Sequence, residues 1–537
     1  MKNTRKLVKN VLFLLFIAML VPSFAQFGNS PPFTLDIEAV TAPVTPVHSF
    51  AFAQSGSKWL IIGGRTNGLH GMSSNDNFPV PFANNNIIVI DTTNWQTYSS
   101  SLNALPLSIA DPMRSTNMQF VHHNNWLYML GGFGWDSTLN RYVTFSTLTA
   151  IHVNDIINAV INNTAIAPHI RQISNANLQI CGGELEVSEG NWYLVMGHNF
   201  EGRYTENASP LFTQIYSNEI RKFNVSDDGI NLSLSNFSVV RDTVHFHRRD
   251  LNVFPLMQTT GGINKPAMGV FGGVFRYNEN LPYRSPIIFD SLNYQVNSYQ
   301  QAMSQYTCAG MPVFDSVTNK MYINLFGGIS MYDFDPVSTT VVYDSLIPFV
   351  SDITCMTLHP SGQIEEKVLP LQLPALLGSN AEFVPNQNLF RFENGVLHFR
   401  KLPNSRTLAG YLLGGIRAGA PNLQQGIAND TVYRIFITPD FTASINSPSE
   451  NNLLYSIELS PNPVKDDVNI AFALRENSVV KLAVLNQNGE TIEVITNKKH
   501  KAGNHTIQWK NKLPSGNYIL QATSEKETKA IKFIKLD

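Results

Sequence analysis

The sequence is poor in charge, in cysteine and in long apolar segments. Charged residues make up only 15% of the 537 residues, and the formal net charge is −2. Binding nucleic-acid phosphates needs concentrated basic charge, so this composition excludes a nucleic-acid binder. The three cysteines, Cys181, Cys308 and Cys355, have no CxxC spacing, which excludes a disulfide scaffold and a zinc framework. The 43% hydrophobic content supplies a large core and argues against disorder.

One long apolar run is present, at the N-terminus. The segment VLFLLFIAMLV (11–21) follows a basic stretch and precedes PSFAQ, in which Ser23 and Ala25 occupy the small-residue positions of a cleavage site. Eleven apolar residues are too few to span a bilayer, and no later segment has the length of a membrane span. Residues 1–25 are therefore predicted to be a signal peptide, and the mature protein is expected to be exported.

A short apolar run that ends in glycine recurs six times. In the third copy His198 replaces the second glycine. Each run is long enough for a buried strand and too short for a typical helix, and the glycines allow a turn and close approach of a neighbouring strand. The copies are KWLIIGG (58–64), NWLYMLGG (125–132), NWYLVMGH (191–198), PAMGVFGG (266–273), KMYINLFGG (320–328) and TLAGYLLGG (407–415).

Each copy is preceded by another short strand and followed, after a loop, by a third strand; a fourth follows most of these. Four antiparallel strands repeated six times predict an all-β, six-bladed β-propeller. The sixth copy has no fourth strand of its own, whereas FTLDIEAV (33–40) is a strand without a blade. We expect residues 33–40 to supply the outer strand of the sixth blade, because an unsealed ring leaves exposed edges.

Residues 30–440 resemble the kelch family. The glycine doublet after an apolar run and the polar turn before it match the kelch pattern, as does Trp95 beyond the third strand of the first copy. The doublets lie 55 to 87 residues apart, so the repeats are longer than the family's 50 or so. The resemblance implies a kelch-type propeller over residues 26–440 and is weak for activity.

The C-terminal residues 455–537 differ in character. Lysine becomes frequent, and alternating strands with Asn-Gly and Ser-Gly turns predict a small β-sandwich after a linker at 441–454. SPNPVKD, LNQNGE, LPSGNYIL and the terminal IKFIKL resemble the C-terminal sorting domain of the Bacteroidota type IX secretion system. The resemblance implies secretion or display on the cell surface, with the secretion machinery as a partner. An Ig-like or carbohydrate-binding module is the alternative.

The long segments between each doublet and the third strand are the candidate binding surface. In a kelch propeller all six would emerge on one face, and one-sided insertion is typical of a binding rim. Arginine offers a fork of donors to carboxylates, and aromatic rings stack on sugars or anchor protein contacts. The alternatives are neutral loop growth and structural arginines paired with Asp111 or Asp250. The predicted ligand-binding residues are Arg65, Asn67, Arg114, Trp135, Arg171, Arg203, Tyr204, Arg249, Arg276, Tyr277 and Arg417.

These features predict a propeller that binds a glycan or a protein ligand, without a cofactor or metal. The alternative is a carbohydrate-active enzyme of the acidic-sugar epimerase or mutarotase class, with Glu184 as the best carboxylate. A copper-dependent sugar oxidase could draw on His245, His247, Tyr306 and Cys308, but the tyrosine and cysteine do not fall at matching repeat positions. A structural surface-layer component would have no concave pocket.

Overall fold

The computed structural model describes residues 28–71, 77–203, 211–260, 263–422, 426–441, 454–474, 476–486, 489–524 and 528–536. The expected signal peptide (1–25) and most of the expected linker lie outside these residues. The contacts divide the chain into two compact units, Met1–Pro439 and Asp440–Asp537. Regular structure is almost entirely strand, which confirms the predicted all-β class.

The first unit contains six sheets, each built on four antiparallel strands. After β1 (Phe33–Ala39), the four main strands of each sheet come from one consecutive stretch of chain, β1 joins sheet 6, and a two-residue strand from the sixth stretch joins sheet 5. Sheet 1 is β2 (Ala51–Ser55), β3 (Lys58–Ile62), β4 (Asn86–Asp91) and β5 (Gln96–Ser101). In sheet 2 the strands are β6 (Gln119–His123), β7 (Trp126–Leu130), β10 (Thr147–His152) and β11 (Ile170–Ser174). Sheet 3 comprises β12 (Glu184–Ser188), β13 (Asn191–Val195), β16 (Glu219–Asp227) and β17 (Leu232–Arg241).

The other three sheets follow the same plan. Sheet 4 is β18 (Asn252–Thr260), β19 (Ile263–Phe271), β20 (Ile287–Asp290) and β21 (Asn293–Val296). Sheet 5 contains β22 (Ala309–Asp315), β23 (Lys320–Phe326), β26 (Asp352–Leu358) and β27 (Ile364–Gln372), and β29 (Leu397–His398) is parallel to β22. Sheet 6 is β28 (Leu376–Pro385), β30 (Thr407–Ala418), β32 (Tyr433–Pro439) and β1, with β31 (Ile427–Ala428) beside β30.

Three of the segments after the doublets fold into hairpins, and two helices interrupt the strand pattern. The hairpins are β8 (Phe133–Asp136) with β9 (Arg141–Thr144), β14 (His198–Gly202) with β15 (Phe212–Tyr216), and β24 (Tyr332–Asp335) with β25 (Thr340–Tyr343). The helices are α1 (Leu107–Met113) and α2 (Val153–Ile161). Short 3₁₀ turns lie at Val80–Phe82, Leu102–Ala104, Ala167–His169, Ala176–Leu178 and Phe399–Lys401.

The first described strand pairs with the last strand of the unit. Strand β1 lies antiparallel to β32 over its full length, from Phe33 opposite Pro439 to Ala39 opposite Tyr433. This pairing makes β1 the outermost strand of sheet 6, so that sheet is completed by a segment far away in sequence.

Apolar side chains of consecutive sheets share hydrophobic clusters. Sheets 5 and 6 meet through the ring of Phe326, which stacks on Phe383 at a centroid distance of 6.0 Å. Sheets 6 and 1 also share a hydrophobic cluster, so the series of contacts between consecutive sheets returns to sheet 1. Clustered pairs are Leu60 with Leu127, Leu130 with Trp192, Val195 with Val270, Leu256 with Ile323, and Leu413 with Trp59.

The repeated glycines link each sheet to the next. In sheet 2 the N–H of Gly132 donates to the carbonyl of Ile180, which leads into sheet 3, at 2.9 Å. Its neighbour Gly131 has a φ of +64°, and an added Cβ there would lie 2.0 Å from the Ile180 oxygen. Glycine is therefore required here for two reasons: the backbone is left-handed, and the next sheet approaches too closely for a side chain.

The second unit consists of two antiparallel sheets around one core. The first contains β33 (Leu454–Ser460), β34 (Asp467–Leu474) and β37 (Gly503–Lys510). The second contains β35 (Ser478–Leu485), β36 (Thr491–His500), β38 (Gly516–Thr523) and β39 (Thr528–Lys535). Buried side chains of both sheets, among them Phe472, Val484 and Trp509, form a single cluster.

Candidate functional site

A closed ring of backbone hydrogen bonds lies at the centre of the first unit. Five of the ring residues precede the first strand of a sheet, and the sixth, Asn380, lies within β28. Each donates its N–H to the carbonyl of the next ring residue at 2.6 to 3.3 Å. All six have a positive φ between 47° and 62°, which is uncommon for residues other than glycine. In order of donation the ring is Ser49, Asn380, Thr307, Asp250, Gly182, Asn117 and again Ser49.

The ring lies between two cavities. Ser49, Asn117, Asp250, Thr307 and Asn380 line both of them. The first cavity, the channel, has a volume of about 390 Å³ and is lined mainly by the first strands of sheets 2 to 6. The second, the loop-face cavity, has a volume of about 190 Å³ and is lined by the segments that follow the doublets.

All six sheets contribute to the loop-face cavity. One residue from each segment after a doublet lines it: His70, Phe133, His198, Phe275, Ile329 and Ile416. Because the six segments converge on one concavity, a ligand held there would contact loops that are distant in sequence.

Arg65, which was predicted from the sequence, lines the loop-face cavity. Its side chain is buried; Nε donates to Asn67 Oδ1 at 3.0 Å and Nη2 donates to the Pro79 carbonyl at 2.9 Å. The guanidinium lies 5.4 Å from the ring centroid of Phe78. These contacts hold Arg65 in one orientation, and they place the predicted Asn67 behind it as a positioning side chain.

Arg249, also predicted, lines the same cavity from the side of sheet 4. Its Nη1 forms an ion pair with Asp250 of the ring, and its guanidinium lies 5.3 Å from the ring centroid of Phe275. The positive charges of Arg249 and Arg65 both lower the pKa of His70. The two arginines, 184 positions apart in sequence, therefore act on one small volume.

Three histidines in the cavity are uncharged near neutral pH. Burial and then the charge of Arg65 lower the pKa of His48 to about 3. Burial lowers the pKa of His70 to about 4, and burial with the charge of Arg249 holds the pKa of His198 well below its usual value. The cavity thus combines neutral imidazoles with two cationic side chains and the one carboxylate of Asp250, and the remaining excess of positive charge favours an anionic group.

The structure places two other predicted arginines in structural contacts. Arg114 donates to Asp111 at 2.7 Å and to Asn85 at 2.6 Å, at the end of α1. Arg171 lies on β11, the outermost strand of sheet 2, where it pairs with Asp227. The expectation that Arg171 lies on a loop of the binding face is wrong, because residues 170–174 form a strand after helix α2.

The remaining predicted residues lie around the cavity without lining it. Trp135 packs edge-on against Tyr142, and Arg203 lies 5.9 Å from the same ring. Arg276 pairs with Glu279 at 2.5 Å, while Tyr277 and Arg417 are exposed. Tyr204 lies outside the described residues.

The cavity also contains residues that sequence reasoning missed. His48, His70 and Gln214 line it, yet no spacing or motif distinguished them as a group; Tyr306 also lines it and was considered only as a copper ligand. His198 was visible in the sequence as a substitution at a doublet position, and that was its only signal. Side chains on irregular loops converge through the fold, which periodicity does not reveal.

Glu184, the candidate catalytic carboxylate, lies in the channel. Burial, and then the charges of Glu382 and Glu186, raise its pKa well above the usual value. Burial also raises the pKa of Glu186 and of Glu382 to about 8. The ring separates these three acids from Arg65 and Arg249, and the carboxylate that shares the loop-face cavity with the two arginines is that of Asp250, the ion-pair partner of Arg249.

The candidate copper ligands are dispersed. His245 pairs with Asp242 at 2.8 Å, His247 stacks on Tyr216, and Cys308 lines the channel whereas Tyr306 lines the loop-face cavity. Over the residues that the structure describes, no group of three or more His, Cys, Asp or Glu side chains is placed to hold a metal ion.

Comparison with known proteins identifies the C-terminal segment. Residues 458–536 match the family described as the secretion system C-terminal sorting domain. The tail is thus a sorting domain, which indicates export by the type IX secretion system, to the cell surface or the medium. Within the described residues, no helix has the length and apolarity needed to cross a membrane.

The other two comparisons concern the chain as a whole. No curated protein matches the chain. Among solved structures, one titled "Structure of YjhT" aligns with 13% identity and a TM-score of 0.40, covering 74% of this chain and 97% of that one. The sorting domain is therefore the one part of this chain that the comparisons assign.

Proposed function

We propose that this chain is an exported six-bladed kelch-type β-propeller whose loop-face cavity binds a carboxylate-bearing sugar at the end of a glycan. The six sheets would be the blades, and β1 would complete the sixth. The six-membered hydrogen-bonded ring supports this arrangement, because it runs through the sheets in order and returns to its start. The shared apolar cluster between sheets 6 and 1 supports it as well.

The observation that carries the ligand assignment is the pair Arg65 and Arg249 in one small cavity. Guanidinium groups recognise carboxylates through paired donors, and Phe78 and Phe275 add apolar ring surface beside them. A volume of about 190 Å³ lies below the roughly 300–1,000 Å³ of pockets for drug-sized ligands. A single sugar residue fits this description better than a protein surface, which needs a broad contact area.

Binding is better supported than catalysis. An efficient general base has a pKa near the working pH, whereas the pKa values of His48 and His70 are about 3 and about 4. None of the described carboxylates with a raised pKa lines the loop-face cavity: Glu184, Glu186 and Glu382 lie in the channel, and Asp352 and Glu366 line neither cavity. An acidic-sugar mutarotase or epimerase would need such a group beside the arginines, and a sugar oxidase would need a metal site.

The two ends of the chain fit an exported binding protein. The sorting domain accounts for transport across the outer membrane, and the predicted signal peptide at 1–25 would supply the first export step. We place the protein on the surface of a Bacteroidota cell or in its medium, where glycans are available as ligands.

A glycan array probed with the exported protein tests this function. Glycans that end in a carboxylated sugar should bind, and Arg249→Met should weaken binding at least tenfold, the range of hydrogen bonds to charged groups. Arg417→Met is the matched control, because Arg417 is an exposed arginine near the end of strand β30 that does not line the cavity. An array on which only neutral glycans bind, or equal losses in both variants, would contradict the proposal.

A further inference from the structure

We infer that a directed hydrogen-bond relay through the side chains of the ring fixes the proton of His48 on Nε2 and thereby positions the Arg65–Gly68 loop of the binding cavity. The inference rests on the proposed function, since it assigns a role to residues that line the same cavity. Its first element is Asp250, and the relay runs through Asn117, Asn380 and Ser49 to His48.

The direction of the relay is set at Asp250. Its carboxylate can only accept hydrogen bonds, and Oδ1 lies 3.5 Å from Asn117 Nδ2. The amide nitrogen of Asn117 must therefore face Asp250, which turns Asn117 Oδ1 towards Asn380. There Oδ1 accepts from Asn380 Nδ2 at 3.4 Å.

The orientation of Asn380 follows from two independent contacts. Its Nδ2 faces Asn117 Oδ1, and its Oδ1 accepts from the hydroxyl of Ser379 at 3.2 Å. Nδ2 also donates to Ser49 Oγ. Because Ser49 Oγ accepts this bond, the single hydroxyl proton of Ser49 is left to be donated elsewhere.

That proton is donated to His48. Ser49 Oγ lies 3.0 Å from His48 Nδ1, and because among the described residues the Ser49 proton has no other recorded acceptor, Nδ1 of the neutral imidazole accepts it. The ring proton of His48 is then on Nε2. The side chain is 5% exposed, so few orientations are open to it.

The Nε2 proton is directed at the loop that carries Arg65. The backbone of Gly68 and of Asn67 lies beside the imidazole and raises the His48 pKa, against the larger lowering by burial and by Arg65. Among the described residues no group meets Nε2 at full hydrogen-bond geometry, so the inferred interaction with this loop is electrostatic and acts over a distance longer than a hydrogen bond. The backbone of His48 is bonded to the same loop, with reciprocal N–H to carbonyl bonds of 3.0 Å to Arg65.

The relay therefore connects the two arginines of the cavity. It begins at Asp250, the ion-pair partner of Arg249, and ends at the loop that holds Arg65. A displaced His48 ring would loosen the Arg65 loop while Arg249 stayed in place. The separation of the two guanidinium groups, and with it the fit to one carboxylate, would then be lost.

Ser49→Gly tests the relay, because glycine keeps the positive φ and the ring backbone while removing the hydroxyl. Thr307→Gly is the matched control: Thr307 has the same role in the backbone ring, but its hydroxyl bonds Ser379 on a side branch. Both variants are compared as the full chain. The NMR signals of His48 are assigned as those that disappear in the variant His48→Gln.

Two readouts need no ligand. NMR of ¹⁵N-labelled histidine should show a protonated Nε2 and an unprotonated Nδ1 for His48 in the native protein and in Thr307→Gly, and a mixture in Ser49→Gly. Amide hydrogen exchange of residues 65–70 should accelerate about tenfold in Ser49→Gly alone, as for loss of one hydrogen bond. A native His48 protonated on Nδ1, or equal acceleration in both variants, would overturn the inference.

Ligand affinity separates this inference from the proposed function. A carboxylated sugar that binds the native protein should bind Ser49→Gly about tenfold more weakly. If no such sugar binds, the proposed function is wrong. The His48 tautomer and the amide exchange rates still test the hydrogen-bond relay, because neither measurement needs a ligand. Normal affinity in Ser49→Gly, with an altered tautomer, would overturn the positioning role.

Discussion

Glu382→Gln should remove a pH-dependent loss of stability from the first unit. Burial in the channel raises the pKa of Glu382 to about 8, whereas an unfolded glutamate titrates near 4.3. The folded state thus holds a proton that the unfolded state has released between these values. For such a raised acid, stability is complete at low pH and falls as the pH rises through this window.

The size of the effect follows from the same difference. The limit for one group is about 1.4 kcal/mol per pH unit, or about 5 kcal/mol between pH 4.3 and pH 8. The Glu382 side chain is only half-buried and lines the channel, so solvent screening reduces the effect and we expect roughly 1–3 kcal/mol. Glutamine has nearly the same shape and no charge, and so the variant should lack this decline.

Denaturant unfolding between pH 4 and pH 9 measures the effect. Tryptophan fluorescence reports mainly the first unit, which contains five of the six tryptophans. The difference in free energy of unfolding between the native protein and the variant at pH 4 serves as the baseline. Above pH 5 the stability of the variant relative to the native protein should increase progressively. A difference that stays constant across the range would refute the argument that the channel buries an uncompensated acid.

Three further predictions concern other parts of the chain. Gly131→Ala should destabilise the first unit by about 2 kcal/mol or more, whereas Gly190→Ala, with a φ of +74° but open space, should cost about 1 kcal/mol, as thermal unfolding of both can check. The three buried cysteines should react with a thiol reagent only after unfolding, since burial raises the pKa of Cys181 to about 12; labelling of the native protein would contradict this. Deletion of residues 458–536 should retain the protein in the periplasm, and continued secretion in a fractionation assay would contradict the assigned sorting role.

The scaffold could be predicted from the sequence because it depends on a repeated physical requirement. Each sheet needs a buried strand that ends where the next sheet approaches closely, and only glycine meets this requirement at Gly131 and its equivalents. The lone strand near residue 33 could be recognised because an unpaired edge needs a partner. The helices α1 and α2 broke the pattern, and Arg171 was misplaced for that reason.

The ring of backbone hydrogen bonds beneath the loop-face cavity could not be predicted from the sequence. Its six residues share a backbone conformation and not a residue type: Ser, Asn, Gly, Asp, Thr and Asn occupy equivalent positions. A positive φ is set by the surrounding sheets, so no local sequence signal marks it. The cavity histidines were missed for a related reason, because they meet only when the six loops converge.

Hydrogen exchange with and without the best-binding carboxylated glycan tests the central claim most directly. The ligand should protect the segments that line the loop-face cavity, residues 65–70, 198–203 and 274–285, and leave the channel strand Glu184–Ser188 unchanged. Protection confined to the channel strands, or to the C-terminal unit, would contradict the assignment of the loop-face cavity as the ligand site.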